Sequence, residues 1–166
     1  MAAVPGRSPK CCSPEEAVKV IESGQNIYVQ GMAATPTLLT TAMAKHGKEN
    51  GLKDIAVYHL HTEGACPYVD EDCDGVFRVK SMFIGANVRK ATHEGRADYL
   101  PIFLSETPLL FRNGIIPLDT AIVQATCFPN QVSPPDRHGF CSLGTSVDCT
   151  RAALQCAKVV IGQINR

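Results

Sequence analysis

Charge of one sign is the first thing this 166-residue chain lacks: 16 Lys and Arg balance 16 Asp and Glu, and the isoelectric point is near neutral. A surface without a net field offers no general attraction to nucleic acid or to an anionic membrane, and neither partner is expected. No apolar run approaches the roughly eighteen residues that span a bilayer. The eight cysteines lack the spacing of a zinc site. Cys66 and Cys73 are separated by six residues, Cys11 and Cys12 are adjacent, and Cys141, Cys149 and Cys156 fall in apolar or helical settings. They read as reduced intracellular thiols that pack as small hydrophobes. A redox role for the Cys11–Cys12 pair has no further support. The opening segment holds Arg7 and Lys10 and no acid before Glu15. It fits the tail of a mitochondrial presequence or a free terminus, so the expected compartment is mitochondrial or cytoplasmic.

What is present alternates between strand and helix signals. Ser13-Pro14-Glu15-Glu16 has an N-cap serine, a first-turn proline and a capping-box glutamate, with Ala17, Val18 and Ile21 as the apolar face and Gly24 as the stop. Strands are expected over 27–30, 55–60, 77–84, 99–104, 119–124 and 158–164. Helices are expected from Thr35-Pro36 through Leu38, Leu39, Ala42 and Met43, through Glu94–Gly95, over 105–113, and from about Val147. The last has Cys149, Ala152, Ala153, Cys156 and Ala157 at helical spacing. Residues 61–75 are acidic and glycine-bearing, which suggests a surface loop. Val159, Val160 and Ile161 show no alternation, as in parallel strands buried on both faces. The expected architecture is a three-layer α/β/α domain with a mostly parallel sheet over 13–166, preceded by a disordered N-terminus over 1–12.

The run VSPPDRHGFCSLGTSVD, residues 132–148, contains two prolines, two glycines and almost no apolar bulk. Pro134 and Pro135 hold the backbone extended, Asp136 can close a local turn, and Gly139 and Gly144 permit positive φ. A stiff polar loop feeding a helix N-terminus is a place where α/β proteins hold anions. A plain connection fits the same residues. The segment from Gln30 to Thr35 is the second candidate, since ligands gather at the carboxyl ends of parallel strands. Gly31 there is either a site for close ligand approach or a turn the fold needs.

The string Ser133-Pro134-Pro135-Asp136, then His138-Gly139, then Cys141-Ser142-Leu143-Gly144, then Ser146-Val147-Asp148, resembles the signature of the acetyl-CoA hydrolase/transferase family. Ser13–Val18 with Ile21–Gly24, Gln30-Gly31-Met32-Ala33 with Thr35-Pro36 and Leu39, Arg89–Pro101, and Ile102–Leu110 are similar to other segments of that family. The resemblance covers the chain from about residue 12.

It implies a CoA-transferase (NagB/RpiA-like) domain. It further implies CoA transfer between an acyl-CoA, such as acetyl-CoA, and a small carboxylate such as acetate or 4-hydroxybutyrate. The alternatives are an acyl-CoA hydrolase of the same family or a non-catalytic α/β binding module. The family's nucleophile is a glutamate in the second half of a protein more than twice this length. The chain is therefore expected to be the N-terminal half, inactive alone, with a missing C-terminal half or partner subunit. A homo-oligomer is expected at full length. No bound cofactor or metal is implied, and coenzyme A enters as the substrate's thioester.

The implied substrate-binding residues are Gln30, Gly31, Met32, Pro134, Pro135, Asp136, His138, Gly139, Ser142 and Gly144. No catalytic residue is carried over, because Glu63, Glu94 and Glu106 match no family motif. The family accepts asparagine at His138, which points to local hydrogen bonding there. His59 and His61 lie two apart as zinc ligands sometimes do, but no third ligand follows, so hydrogen-bonded or exposed histidines are expected. One departure is Ala125–Gln131, ATCFPNQ, which separates the fifth strand from the signature where the family joins them directly. Long insertions are cheap for a fold, while site geometry tolerates little displacement.

Overall fold

The computed structural model describes residues 10–126 and 141–165. Pro134, Pro135, Asp136, His138 and Gly139 lie outside them, as do residues 127–131 of the insertion. Six strands form one sheet: β1 Asn26–Val29, β2 Ile55–His59, β3 Phe77–Ser81, β4 Ala97–Tyr99, β5 Thr120–Thr126 and β6 Val159–Asn165. Their order is β4-β3-β2-β1-β5-β6, and every pairing is parallel. The chain winds outward from β1 to β4, then crosses back to lay β5 on the other side of β1. The winding reverses between β1 and β5, where open α/β sheets leave a crevice for ligands.

Helices cover both faces, as the alternation of elements implies. On one side α1 (Pro14–Ala17), α2 (Thr37–Glu49) and α3 (Ala86–His93) lie with a core that includes Val18, Ile21, Leu39, Met43, Ile55, Val57 and Val79. On the other, α4 (Thr107–Arg112) and α5 (Thr150–Cys156) pack over Tyr28 and Ala121. The Tyr28 ring meets Phe111 edge-on at 5.6 Å, and its hydroxyl shares a 2.8 Å hydrogen bond with Thr150 Oγ1. Strand residues alternate between these two cores because successive side chains leave opposite faces of the sheet.

Several expectations are corrected by tertiary contacts. Ser13 caps α1 by accepting from the Glu16 amide, but α1 gives way to a short 3₁₀ turn over Val18–Val20, and the helix ends well before Gly24. The fourth strand is Ala97–Tyr99 rather than 99–104, because Asp98 ties it to Arg78 and Lys80 on β3. Residues 61–75 are no mere surface loop. Two 3₁₀ turns, Pro67–Val69 and Glu71–Cys73, turn Tyr68 and Cys73 into the core beside Cys66. Ala125 and Thr126, the first residues of the insertion, extend β5 and pair with Ile164 and Asn165. Leu38 is exposed, unlike Leu39, Ala42 and Met43. Val159 and Val160 are not buried on both faces: they are 39% and 51% exposed, since β6 is an edge strand. Among the described residues no helix is long and apolar enough to cross a membrane.

Candidate functional site

Gln30 follows β1 directly and is wholly buried at the reversal point. Its Nε2 donates to the carbonyls of Leu143 at 3.0 Å and Ser146 at 2.8 Å, and its Oε1 accepts from the Gln124 amide at 2.9 Å. One side chain thus ties β1, β5 and the 143–146 segment together. A buried amide with its donors and acceptor used internally positions the loop. Gln30 therefore holds the 143–146 segment in place against β1 and β5.

Gly31 has no room for a side chain. A Cβ there would stand 2.2 Å from the His61 carbonyl oxygen, well inside contact distance. Its φ is not positive, so the glycine is required by the fold's own close packing of His61 against it rather than by a left-handed turn. The next residue, Met32, takes φ +53°, a conformation that strains a non-glycine residue. The Met32 amide donates to the His61 carbonyl at 2.9 Å, and Met32 bridges to Thr62 in parallel fashion. The Thr35 hydroxyl donates to the Met32 carbonyl at 2.7 Å and accepts from the Glu63 amide at 3.0 Å. Asn87 completes the join, donating to the Thr62 carbonyl at 2.9 Å and the Gly64 carbonyl at 3.2 Å.

The polar run His61-Thr62-Glu63-Gly64 is thereby brought against Gly31–Thr35, a pairing that no spacing in the sequence announces. Its signal was a polar stretch at the carboxyl end of a strand, of the kind seen after β1. His61 is half-buried, with its Nε2 3.5 Å from Glu63 and its ring 6.3 Å from that of Phe83. Ser142 and Gly144 lie in the returning loop. The Gly144 amide donates to Ser142 Oγ at 3.1 Å, and Gly144 takes φ +73°, the left-handed region expected of it.

Amides at the start of both α2 and α5 are already engaged within the protein. On α2 the Leu38 and Leu39 amides donate to Gln163 Oε1, at 3.0 and 3.3 Å, so a β6 side chain caps the helix in place of Thr35. On α5 the first amides are closed internally, Thr150 onto the Val147 carbonyl and Ala152 onto that of Cys149.

His59 reverses the expectation of a hydrogen-bonded or exposed histidine. It is fully buried against Tyr68, ring centroids 6.2 Å apart, and neither ring nitrogen reaches a partner. Burial lowers its pKa to about 4, so it is a neutral core residue at physiological pH. Among the described residues no cluster of three potential ligands could hold a metal. Burial pushes the Cys66 thiol up to about 11, which makes it an inert packing group. The tempting acids stand apart from the crevice or in solvent. Glu94 is paired with Arg96 at 2.6 Å, Glu106 precedes α4, and the Glu63 side chain is 68% exposed.

An all-parallel sheet with a reversal between β1 and β5, and loops tied together there, defines an α/β domain whose candidate ligand site is the crevice at its carboxyl edge. The chain belongs to the acetyl-CoA hydrolase/transferase family, matching that family's N-terminal domain over residues 8–166. It is 49% identical over 163 residues to a succinyl-CoA:acetate/propanoyl-CoA:succinate CoA transferase of Fasciola hepatica, covering 98% of this chain and 32% of the relative. It is 34% identical to a 4-hydroxybutyrate coenzyme A transferase of Clostridium kluyveri, covering 95% of this chain and 34% of that one. Among solved structures it resembles RipA from Yersinia pestis, with TM-score 0.77, 26% identity, and coverage of 93% of this chain and 36% of RipA. The chain spans about a third of the length of these relatives.

Proposed function

We propose that this chain is the N-terminal part of a CoA-transferase that moves coenzyme A between an acyl-CoA and a small carboxylate. The observation that carries this reading is the locked pair of loops at the β1–β5 reversal, in a chain of this family. Gln30 fixes 143–146, and Gly31–Met32 is pressed onto His61–Thr62. In this reading Met32, His61, Ser142 and Gly144 form one wall of the crevice. The nucleophile is a glutamate supplied by a second half or partner subunit, which forms a glutamyl-CoA thioester through a mixed anhydride. Coenzyme A is a substrate here, and no resident cofactor is required. The family description also includes hydrolases, which differ only in letting water take the acyl group.

The test is turnover of acetyl-CoA with and without a carboxylate acceptor. Residues 1–166 alone should exchange no CoA. A protein joining this domain to a second half should exchange CoA with acetate or succinate, and Gly144→Ala should slow it through backbone strain at positive φ. Turnover by the isolated chain that disappears on mutating Glu63, Glu94 or Glu106 would place the nucleophile here and sink the proposal. Release of free CoA without an acceptor would assign the hydrolase reaction instead of the transferase.

A further inference from the structure

Between β2 and β3 the chain runs from His61 to Cys73 without a regular element longer than a three-residue 3₁₀ turn. Its start is joined to Gly31–Thr35 and to Asn87. Further on, the Val69, Asp70 and Cys73 amides bond to carbonyls of the same segment. Side chains tie that part to its neighbours: Lys48 of α2 to Asp72 at 2.8 Å, Lys90 of α3 to Glu71 at 3.0 Å, and the Arg96 guanidinium to the Val69 carbonyl. Exposed ion pairs of this kind hold weakly. Under this cover lies His59, wholly buried, with its ring edge-on to that of Tyr68. Both His59 nitrogens and the Tyr68 hydroxyl lack hydrogen-bond partners, so orphaned polar groups gather at one place.

His59 can take a positive charge, and the groups packed around it would not balance one. His61, two residues on, opposes it. In the cover, burial keeps the Cys66 thiol and the Tyr68 phenol protonated, while Asp70, Glu71 and Asp72 are exposed. β3 offers Ser81, whose hydroxyl donates to the Leu60 and Phe83 carbonyls, and Lys80, which pairs with Asp98. Helices α2 and α3 bring Leu39, Met43, Val88 and Ala91 to this core.

We propose that residues 61–73 form a flap that opens when His59 takes up a proton, carrying the His61–Gly64 loop away from Met32. In the closed state a protonated His59 would stand in an apolar core with no acceptor and no counter-ion. Water reaches the ring once Tyr68 and Cys66 swing out, and the charge is then hydrated. The sheet stays paired, because the hydrogen bonds of the two 3₁₀ turns are internal and move with the flap. The Met32 amide bond to the His61 carbonyl is lost with it, so acid uncouples the β1 and β2 loops. That this disables a CoA site rests on the reading proposed above. The opening itself does not, and it is measured without turnover.

Hydrogen exchange of residues 1–166 at pH 7 and pH 5, corrected for the chemical exchange rate at each pH, tests this. The Val69 and Cys73 amides report on the flap, and the Met32 amide on the join at the crevice. All three should be less protected than the amides of β1 and β5 at both pH values. Their opening should rise about twentyfold at pH 5, since His59 titrates at 6.5 when hydrated and at about 4 when covered. His59→Gln and, separately, His59→Leu should abolish that rise by removing the titrating ring. Protection of Val69 and Cys73 equal to that of β1 would mean that the segment opens only with the whole domain, and overturns the proposal. So does opening that is independent of pH in the parent, or a rise that survives both substitutions. A Met32 amide that stays closed while Val69 and Cys73 open overturns it as well.

Discussion

At the scale of single residues, burial decides more here than side-chain type. The sequence suggests a hydrogen-bonded or exposed His59, yet it sits in the core with no partner for either nitrogen. Because burial lowers its pKa from 6.5 to about 4, the folded protein binds this proton less readily than the unfolded chain does. Its contribution is therefore full above pH 6.5 and is lost as pH falls from there toward 4. A change of that size corresponds to about 3 kcal/mol in total, of which about 2 kcal/mol is gone by pH 5. His59→Leu should remove that slope while costing little at pH 7, since it strands no hydrogen-bonding partner. Urea unfolding at pH 7 and pH 5 reads this directly. A leucine variant that weakens as much as the parent between those two values would show that His59 is not the titrating group. Gly31 belongs to the same scale: the His61 carbonyl leaves no space for even a methyl group.

At the scale of elements, helix α2 shows how a local signal can be overridden. Thr35-Pro36 reads as a cap, but the Thr35 hydroxyl is drawn into the join between the β1 and β2 loops. The exposed amides of Leu38 and Leu39 are left to Gln163, 125 residues away from Leu38 in sequence. Capping of this kind is worth about 1 kcal/mol. Gln163→Ala should lower stability by about that amount, and Gln163→Glu should keep or raise it, because a carboxylate suits the positive end of a helix. The denaturation midpoint of the alanine variant is expected below the parent's and that of the glutamate variant at or above it. Equal losses in both variants would mean that Gln163 acts by some route other than capping.

At the scale of the whole molecule, Gln30 is the point where the sheet's two winding directions and the returning loop are joined. Gln30→Leu would leave the Leu143 and Ser146 carbonyls and the Gln124 amide without their partners in a buried setting. The expected cost is roughly 3 kcal/mol, spread over three unsatisfied groups. It should be local in its effect on motion. Amides of 141–146 and of Gln124 should exchange with solvent faster, while those of β2 and β3 keep their protection. Uniformly faster exchange across the sheet would show that Gln30 supports the fold generally and has no special hold on the loop.

The fold class was legible because it depends on local periodicity: apolar strand segments alternating with amphipathic helices leave few arrangements besides a parallel sheet with helices on both faces. The positive φ of Gly144 was legible for the same reason, since the demand for glycine is local. The tertiary structure alone decided the rest. Strand order made Val159 and Val160 edge residues, whereas an unbroken apolar run looks the same in the centre of a sheet and at its rim. It made Gln30 a tie between β1, β5 and the 143–146 segment, because its partners lie 94 and more residues away in sequence. And it set His61-Thr62-Glu63 against Gly31–Thr35, because β1 and β2 are neighbours in space. Periodicity reports which way a side chain faces along its own element; which backbone it then meets is settled only when the chain closes its long-range contacts.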